Sequence, residues 1–317
     1  MCEAIRVPKH RPHDWLVATH VAPAGSTIIL TLTSTFLVLG LIALVFWRLT
    51  GNVAWVERFF TVPGAMGLVL LAAFELTMCL RVVREFSKGE ALHDAWQLLG
   101  ISSGCNLIGS LMAQVLSTNS VLNPLHHLGW WSASTGTMMR TGGLALGGPC
   151  RFAFLAAGLF AVLRVYQKSG LLARLARVDW ALLALVGLYI AVEARDTVAA
   201  LQLGKHPTRA EEFGWPVDPL LWMLLAEGLL LYRTVKEMGQ GWIGRCWQVM
   251  SVGIFLVTLG DVAIWATSYG FLPWPWSSLG WYIWIPAAGA FALAPTYQLE
   301  AMWQARMARS PRNLESI

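Results

Sequence analysis

Long apolar stretches, each near the length needed to cross a bilayer, recur along this chain with short polar stretches between them. A hydrocarbon core takes about 20 mostly apolar helical residues. Eight stretches meet that length: 26–47, 62–83, 91–117, 147–167, 179–200, 216–234, 243–266 and 278–299. The pattern predicts an all-α fold, a polytopic transmembrane bundle of eight helices. It divides the chain into an N-terminal segment 1–25, a first four-helix group 26–167 with a long outer connection at 118–144, a second group 179–299, and a basic tail 300–317. The apolar run after Gly25 is too long for a signal-peptide core and lacks an A-x-A exit, so the first helix is expected to be retained.

Composition agrees with this pattern. Charged residues make up 13% of the chain, where soluble domains carry about 25%. Tryptophans near the predicted helix ends, such as Trp55, Trp130, Trp131 and Trp180, fit an aromatic belt at the membrane surface. The five cysteines form no CxxC pair and read as small buried hydrophobes.

The basic residues sort by loop. Arg6, Lys9, Arg11, Arg81, Arg84, Lys88, Arg164, Lys168, Arg174, Arg177, Arg233, Lys236, Arg245, Arg306, Arg309 and Arg312 fall on one side of an eight-span topology. Arg48, Arg58, Arg140, Lys205 and Arg209 fall on the other. Positive charge marks the cytoplasmic side, so both termini are expected in the cytoplasm and the protein in the inner membrane. This sorting also accounts for the net charge of +5 without nucleic acid as a partner. The expected partners are the lipid bilayer and a second protein or a further copy of the chain.

The two halves resemble one another. Glu75, Arg81, Glu85 and Gly89 recur 152 residues later as Glu227, Arg233, Glu237 and Gly241. Trp96, Gln97 and Gly109 recur 151 residues later as Trp247, Gln248 and Gly260. "GLFAVLRVYQ" (158–167) resembles "GAFALAPTYQ" (289–298). The matches fall in order on helices 2, 3 and 4 against 6, 7 and 8, which suggests a four-plus-four internal repeat. An even number of helices per repeat makes the two copies parallel.

Glu75 and Glu227 would then sit at one depth inside the membrane. A charge there is expensive unless paired or protonated. Gln97 and Gln248 open the next helices of the two hairpins, so the expected pairs are Glu75 with Gln97 and Glu227 with Gln248. The alternative is two carboxylates across the pseudo-axis that bind a cation or relay protons.

A second polar set is expected near the outer face: Arg151, Glu193, Arg195, Asp196 and Asp261. Two cations and three anions either neutralise one another or form a ligand-binding site between the repeats, under the loop 118–144. That loop carries His126, His127 and Arg140. Adjacent histidines without a spaced third ligand do not make a metal site.

Catalytic signatures such as HExxH, GxSxG and Walker A are missing from the sequence. The glycines of "GGLALGGP" (142–149) read as close helix packing rather than a phosphate loop. No residue pattern identifies a cofactor. These readings favour a non-enzymatic ligand-binding, sensory or accessory membrane subunit that acts with a partner. The alternative is a secondary transporter with its site at the repeat interface.

Overall fold

The computed structural model describes residues 15–116, 133–203, 209–237, 242–268, 271 and 279–309. These residues are all-helical. Eight helices follow one another. α1 is Trp15–Thr50. α2 runs from Ala54–Phe59 through a π-helical turn, Phe60–Gly64, into Ala65–Glu85. α3 joins Ala91–Ser110 to the π-helical Leu111–Val115. α4 joins Ala133–Ala145, the π-helical Leu146–Cys150 and Arg151–Lys168. α5 is Arg177–Gln202, α6 Arg209–Glu237, α7 Trp242–Ser268 and α8 Leu279–Arg309.

Segments on α1, α2, α3, α4 and α7 are long and apolar enough to cross a membrane: Gly25–Thr50, Ala54–Glu85, Ala91–Val115, Thr135–Lys168 and Gly244–Ile264. The protein is thus a helical membrane protein. One face of α1 exposes Ile28, Leu30, Val38, Leu39, Leu41, Ile42, Val45 and Phe46. In water such a patch would drive aggregation; in a bilayer it is a lipid-contact face.

One expectation changes here. Residues 133–144 are not part of a long loop. They form the first turns of α4, which runs to Lys168. Thr, Met, Gly and Ala residues make "ASTGTMMRTGGLA" weakly apolar, so hydropathy alone places the helix start too late. The remaining residues of that connection, 117–132 with His126, His127, Trp130 and Trp131, lie outside the described residues.

α8 is the central helix. Every residue from Ala287 to Thr296 is buried, and α8 packs on α7, α1 and α2. Its small side chains permit close approach on several sides at once. α3 packs on α2 and α4, α6 on α4, α5 and α7. Trp96 on α3 and Trp247 on α7 are fully buried and stack, with centroids 5.4 Å apart and planes at 29°. Around them lie Cys79, Val82, Leu99, Leu159, Leu224, Cys246, Ile254 and Phe291.

Glycine sets the tightest crossings. A Cβ on Gly109 of α3 would lie 2.5 Å from the backbone nitrogen of Gly147 on α4. A Cβ on Gly143 would meet the backbone nitrogen of Ala113 at 2.6 Å. The glycines of 142–149 therefore pack helix against helix, as their spacing suggested. Gly260 of α7 makes a similar crossing with α8, where an added Cβ would lie 3.0 Å from the carbonyl oxygen of Gly280.

Ion pairs and caps fasten the end of the bundle that carries the α2–α3 and α4–α5 turns. Arg233 donates from Nε and Nη2 to the two carboxylate oxygens of Asp179, at 2.9 and 2.8 Å. Asp179 also accepts from the backbone N–H of Ala176. Arg306 of α8 pairs with Glu85 of α2. α4 ends with Gly170 at φ +71°. The N–H of Leu171 bonds to Tyr166 O and that of Gly170 to Gln167 O, the double closure that a left-handed glycine allows.

Candidate functional site

The polar residues meet in two places, and neither is the arrangement expected from the sequence. The first place is inside the bundle. Glu75 of α2 is 5% exposed and lies ten residues before the end of its helix at Glu85, or roughly 15 Å in. Ser103 Oγ donates to Glu75 Oε1 at 2.9 Å, and Asn106 Nδ2 donates to Oε2 at 3.2 Å. Both donors come from α3. Cys79, one turn along α2, has its Sγ 3.5 Å from Ser103 Oγ.

Arg151, where the π-helical turn of α4 gives way to regular helix, completes this group. Its Nη2 is 3.9 Å from Glu75 Oε2. The guanidinium carbon stands 5.0 Å from the ring centroid of Phe291 on α8 and 5.7 Å from that of Phe152. Ser102 of α3 donates to the backbone carbonyl of Arg151 at 2.9 Å. Arg151 Nε is buried without a hydrogen-bond partner among the described residues. A buried cation thus faces a buried anion across a contact too long for a hydrogen bond, with aromatic faces above it.

Gln97 is not in this group. It is exposed. The reason is the register of the α2–α3 hairpin. Cys79 meets Ser103, and an added Cβ on Gly104 would meet Leu76. At that register the level of Glu75 is that of residues 103–106 on α3, about two turns beyond Gln97. Ser103 and Asn106 share the inward stripe with Leu99, while Gln97 points away from it.

The α6–α7 hairpin repeats the same offset. Gly228 of α6 packs against Ile254 of α7, which places Gln248 well below the level of Glu227. Gln248 is half-buried, and no hydrogen bond joins it to Glu227. Glu227 is 8% exposed, and its Oε2 is buried without a partner among the described residues.

The second meeting place lies toward the other end of the bundle. Tyr189 and Glu193 of α5, Asp218 of α6 and Asp261 of α7 lie close enough to interact with one another. Asp218 is the member that sequence reasoning missed. It lies in the first turn of the apolar run 216–234, whereas α6 begins earlier, at Arg209, and runs through Pro216 and Pro219.

The five-residue outer site therefore separates. Arg151 turns inward to Glu75. Arg195 donates from Nε and Nη2 to Asp196 at 2.9 and 2.7 Å, with 74% of its side chain exposed. Only Glu193 and Asp261 stay together, and with Asp218 they belong to α5, α6 and α7, all in the second half of the chain. The expected place at an interface between halves is not where these residues meet. The cause is helical phase: one residue of offset turns a side chain by 100°, enough to carry Arg195 from the interior to the surface.

Among the described residues no group of three or more His, Cys, Asp or Glu side chains is arranged to hold a metal ion. Cys79 and Cys246 are buried thiols, and Cys105 and Cys150 are half-buried ones.

Comparison with protein-family models gives no match, and neither curated proteins nor solved structures match the chain.

Proposed function

We propose that this protein is a non-enzymatic integral membrane binding protein, a sensory or accessory subunit, whose site is the Glu75–Arg151 group. The observation that carries this reading is the mismatch within that group. Asp179 and Arg233 satisfy one another with two short parallel bonds, as a structural ion pair does. Arg151 and Glu75 are more deeply placed, yet 3.9 Å apart, and the Arg151 Nε–H is unused. Buried charges that stabilise a fold are normally paired and hydrogen-bonded in full. A guanidinium with unused donors under the Phe152 and Phe291 rings suits a small amphiphile that presents an anionic or strongly accepting oxygen.

The chain is placed in this reading as eight spans in the inner membrane with both termini in the cytoplasm. The sorting of basic residues supports it, and so do the turns 86–90 and 169–176, which come at one end of the bundle in an eight-span path. The four-plus-four repeat belongs to the same proposal. Three relationships support it. Trp96 and Trp247, matched in sequence, stack on one another. Gly109 and Gly260, also matched, each make the tight crossing with the following helix. The contact of α4 with α6 has its counterpart in that of α8 with α2.

The test uses the double replacement Glu75→Leu with Arg151→Met. Exchanging a buried ion pair for apolar side chains of similar volume is commonly neutral or stabilising, so the fold should persist. The reading expects an unchanged or higher melting temperature and the loss of any small molecule or protein partner that accompanies the wild-type chain through purification from native membranes. Retention of the same bound species by the double variant overturns it.

A secondary transporter is the second reading. It is favoured by the π-helical turns at Phe60–Gly64, Leu111–Val115 and Leu146–Cys150, two of which contain Pro63 and Pro149. π-turns inside α-helices often accompany function, and interrupted helices are a transporter feature. Substrate-stimulated flux in proteoliposomes holding this chain alone supports that reading; retention of a stoichiometric partner supports the first.

A further inference from the structure

Glu75 and Glu227 hold matched places in the sequence and equal places in their helices. Each lies ten residues before its helix end, at Glu85 and Glu237. Their surroundings differ. The α3 residues that bind Glu75 are Ser103 and Asn106. At the offset of 151 that relates α3 to α7, their counterparts are Ile254 and Val257, both buried in the apolar core. Arg151 corresponds, at the offset of 131 that relates α4 to α8, to Tyr282. The Tyr282 hydroxyl is already committed, donating to Leu37 O at 2.7 Å. The hydroxyl, the amide and the cation that hold Glu75 are thus all replaced around Glu227.

The environment of Glu227 is correspondingly dry. One turn to either side on the same face of α6 stand Leu224, 1% exposed, and Leu231, fully buried. The neighbouring Gly228 packs on Ile254. Oε2 of Glu227 has no hydrogen-bond partner among the described residues.

The charged and titratable groups on the helices around α6 are engaged elsewhere. On α4, Arg151 faces Glu75, Arg164 lies exposed over Phe160, and Tyr166 interacts with Trp247. On α5, Asp179 is paired with Arg233, and Tyr189 and Glu193 join Asp218. Asp218 is nine residues from Glu227, roughly 13 Å along the helix. On α7, the Cys246 thiol lies buried toward Cys79, Arg245 is exposed, and Asp261 belongs with Glu193.

We propose that Glu227 is an intramembrane proton-binding site, the neutral counterpart of an ionised Glu75. An ionised carboxylate without a cation or donors is very costly at this depth. The group removes that cost by taking one proton from solvent onto a carboxylate oxygen, which forms an O–H bond and leaves no net charge. Glu75, which accepts from Ser103 and Asn106 beside Arg151, has no such need. This inference does not rest on the ligand reading of the Arg151 group, since the two glutamates are contrasted by their own contacts.

Infrared difference spectra of the full-length protein in lipid at neutral pH test it. Wild type minus Glu227→Gln should lose a protonated-carboxyl C=O band, and wild type minus Glu75→Gln should lose an ionised-carboxylate band instead. Loss of an ionised band in Glu227→Gln overturns the proposal. If Glu227→Gln does not accumulate, N,N′-dicyclohexylcarbodiimide on the wild-type chain in membranes gives the answer, because it adds to protonated intramembrane carboxyls. An adduct on Glu227 and not on Glu75 supports the proposal. An adduct on Glu75 alone, on both equally or on neither overturns it. The same reagent on Arg151→Met should then also modify Glu75, which shows that charge and not access protects it in the wild type.

Discussion

Trp96 and Trp247, 151 residues apart in the chain, stack face to face at the centre of the bundle with ring centroids 5.4 Å apart. They come from α3 and α7, so one contact joins the two halves of the sequence. Burying two indoles here ties the hairpins α2–α3 and α6–α7 into a single core.

Truncating either ring should be costly. Trp96→Ala and Trp247→Ala are each expected to lose about 3–5 kcal/mol, the usual range for a buried tryptophan. The double variant should fall short of the sum by about 1 kcal/mol, because the stacking is lost only once. Thermal or denaturant unfolding in detergent of the three variants measures this coupling, and strict additivity would mean that the stacking contributes nothing.

The glycine contacts yield a paired comparison. Gly109→Ala places a methyl 2.5 Å from a backbone nitrogen of α4, and the helices must separate. Gly104→Ala meets only Leu76 Cδ1, at 3.9 Å, and alanine favours helix over glycine by about 1 kcal/mol. Gly109→Ala should therefore lower the melting temperature clearly, while Gly104→Ala leaves it equal or raised. Equal behaviour of the two would contradict the close α3–α4 crossing.

Arg195→Ala should have almost no effect. The side chain is largely exposed and its partner is the adjacent residue, and surface ion pairs of this kind contribute about 0–1 kcal/mol. A large loss of stability or of a bound partner in this variant would return Arg195 to the interior and overturn its placement.

Arg233→Gln should be more damaging than Arg195→Ala. It removes both donors from Asp179, a carboxylate with little exposure of its own, and leaves that carboxylate without its charged partner. Asp179→Asn with Arg233→Gln should recover part of that loss. A double variant no better than the worse single one would count against direct coupling.

Orientation has its own measurement. Reporter fusions at Gly170 and after Glu300 should both report the cytoplasm, and a reporter placed within 117–132 the opposite side. A non-cytoplasmic signal at either of the first two positions would defeat the eight-span arrangement.

Much of this architecture is legible in the sequence because lipid imposes it. Backbone groups inside a bilayer must bond within their own segment, so a run of apolar residues of sufficient length is already a helix. That is why the runs beginning near 91 and 243 match α3 and α7 so closely, and why the small residues of 142–149 could be read as packing. The unexpected helical start at 133 shows the limit of the rule, since a stretch of Thr, Met and Gly is helical here through its contacts with α3 rather than through its own hydropathy.

The polar partnerships were not legible to the same degree, because each depends on the phase of a helix and on the register between two of them. Counting from helix ends paired Glu75 with Gln97, but the hairpin register set Ser103 and Asn106 opposite it and turned Gln97 outward. Counting depth also grouped Arg151 with Arg195, two residue numbers that packing separates completely: α4 turns one toward Glu75 and Phe291, and α5 turns the other to the surface beside Asp196. The sequence by itself determined where the long apolar helices run and which charges are expensive. The tertiary structure decided which of those charges meet, because a rotation of 100° per residue and a shift of one or two turns between neighbours are properties of packing, fixed here by Gly109, Gly143 and the stacked Trp96 and Trp247.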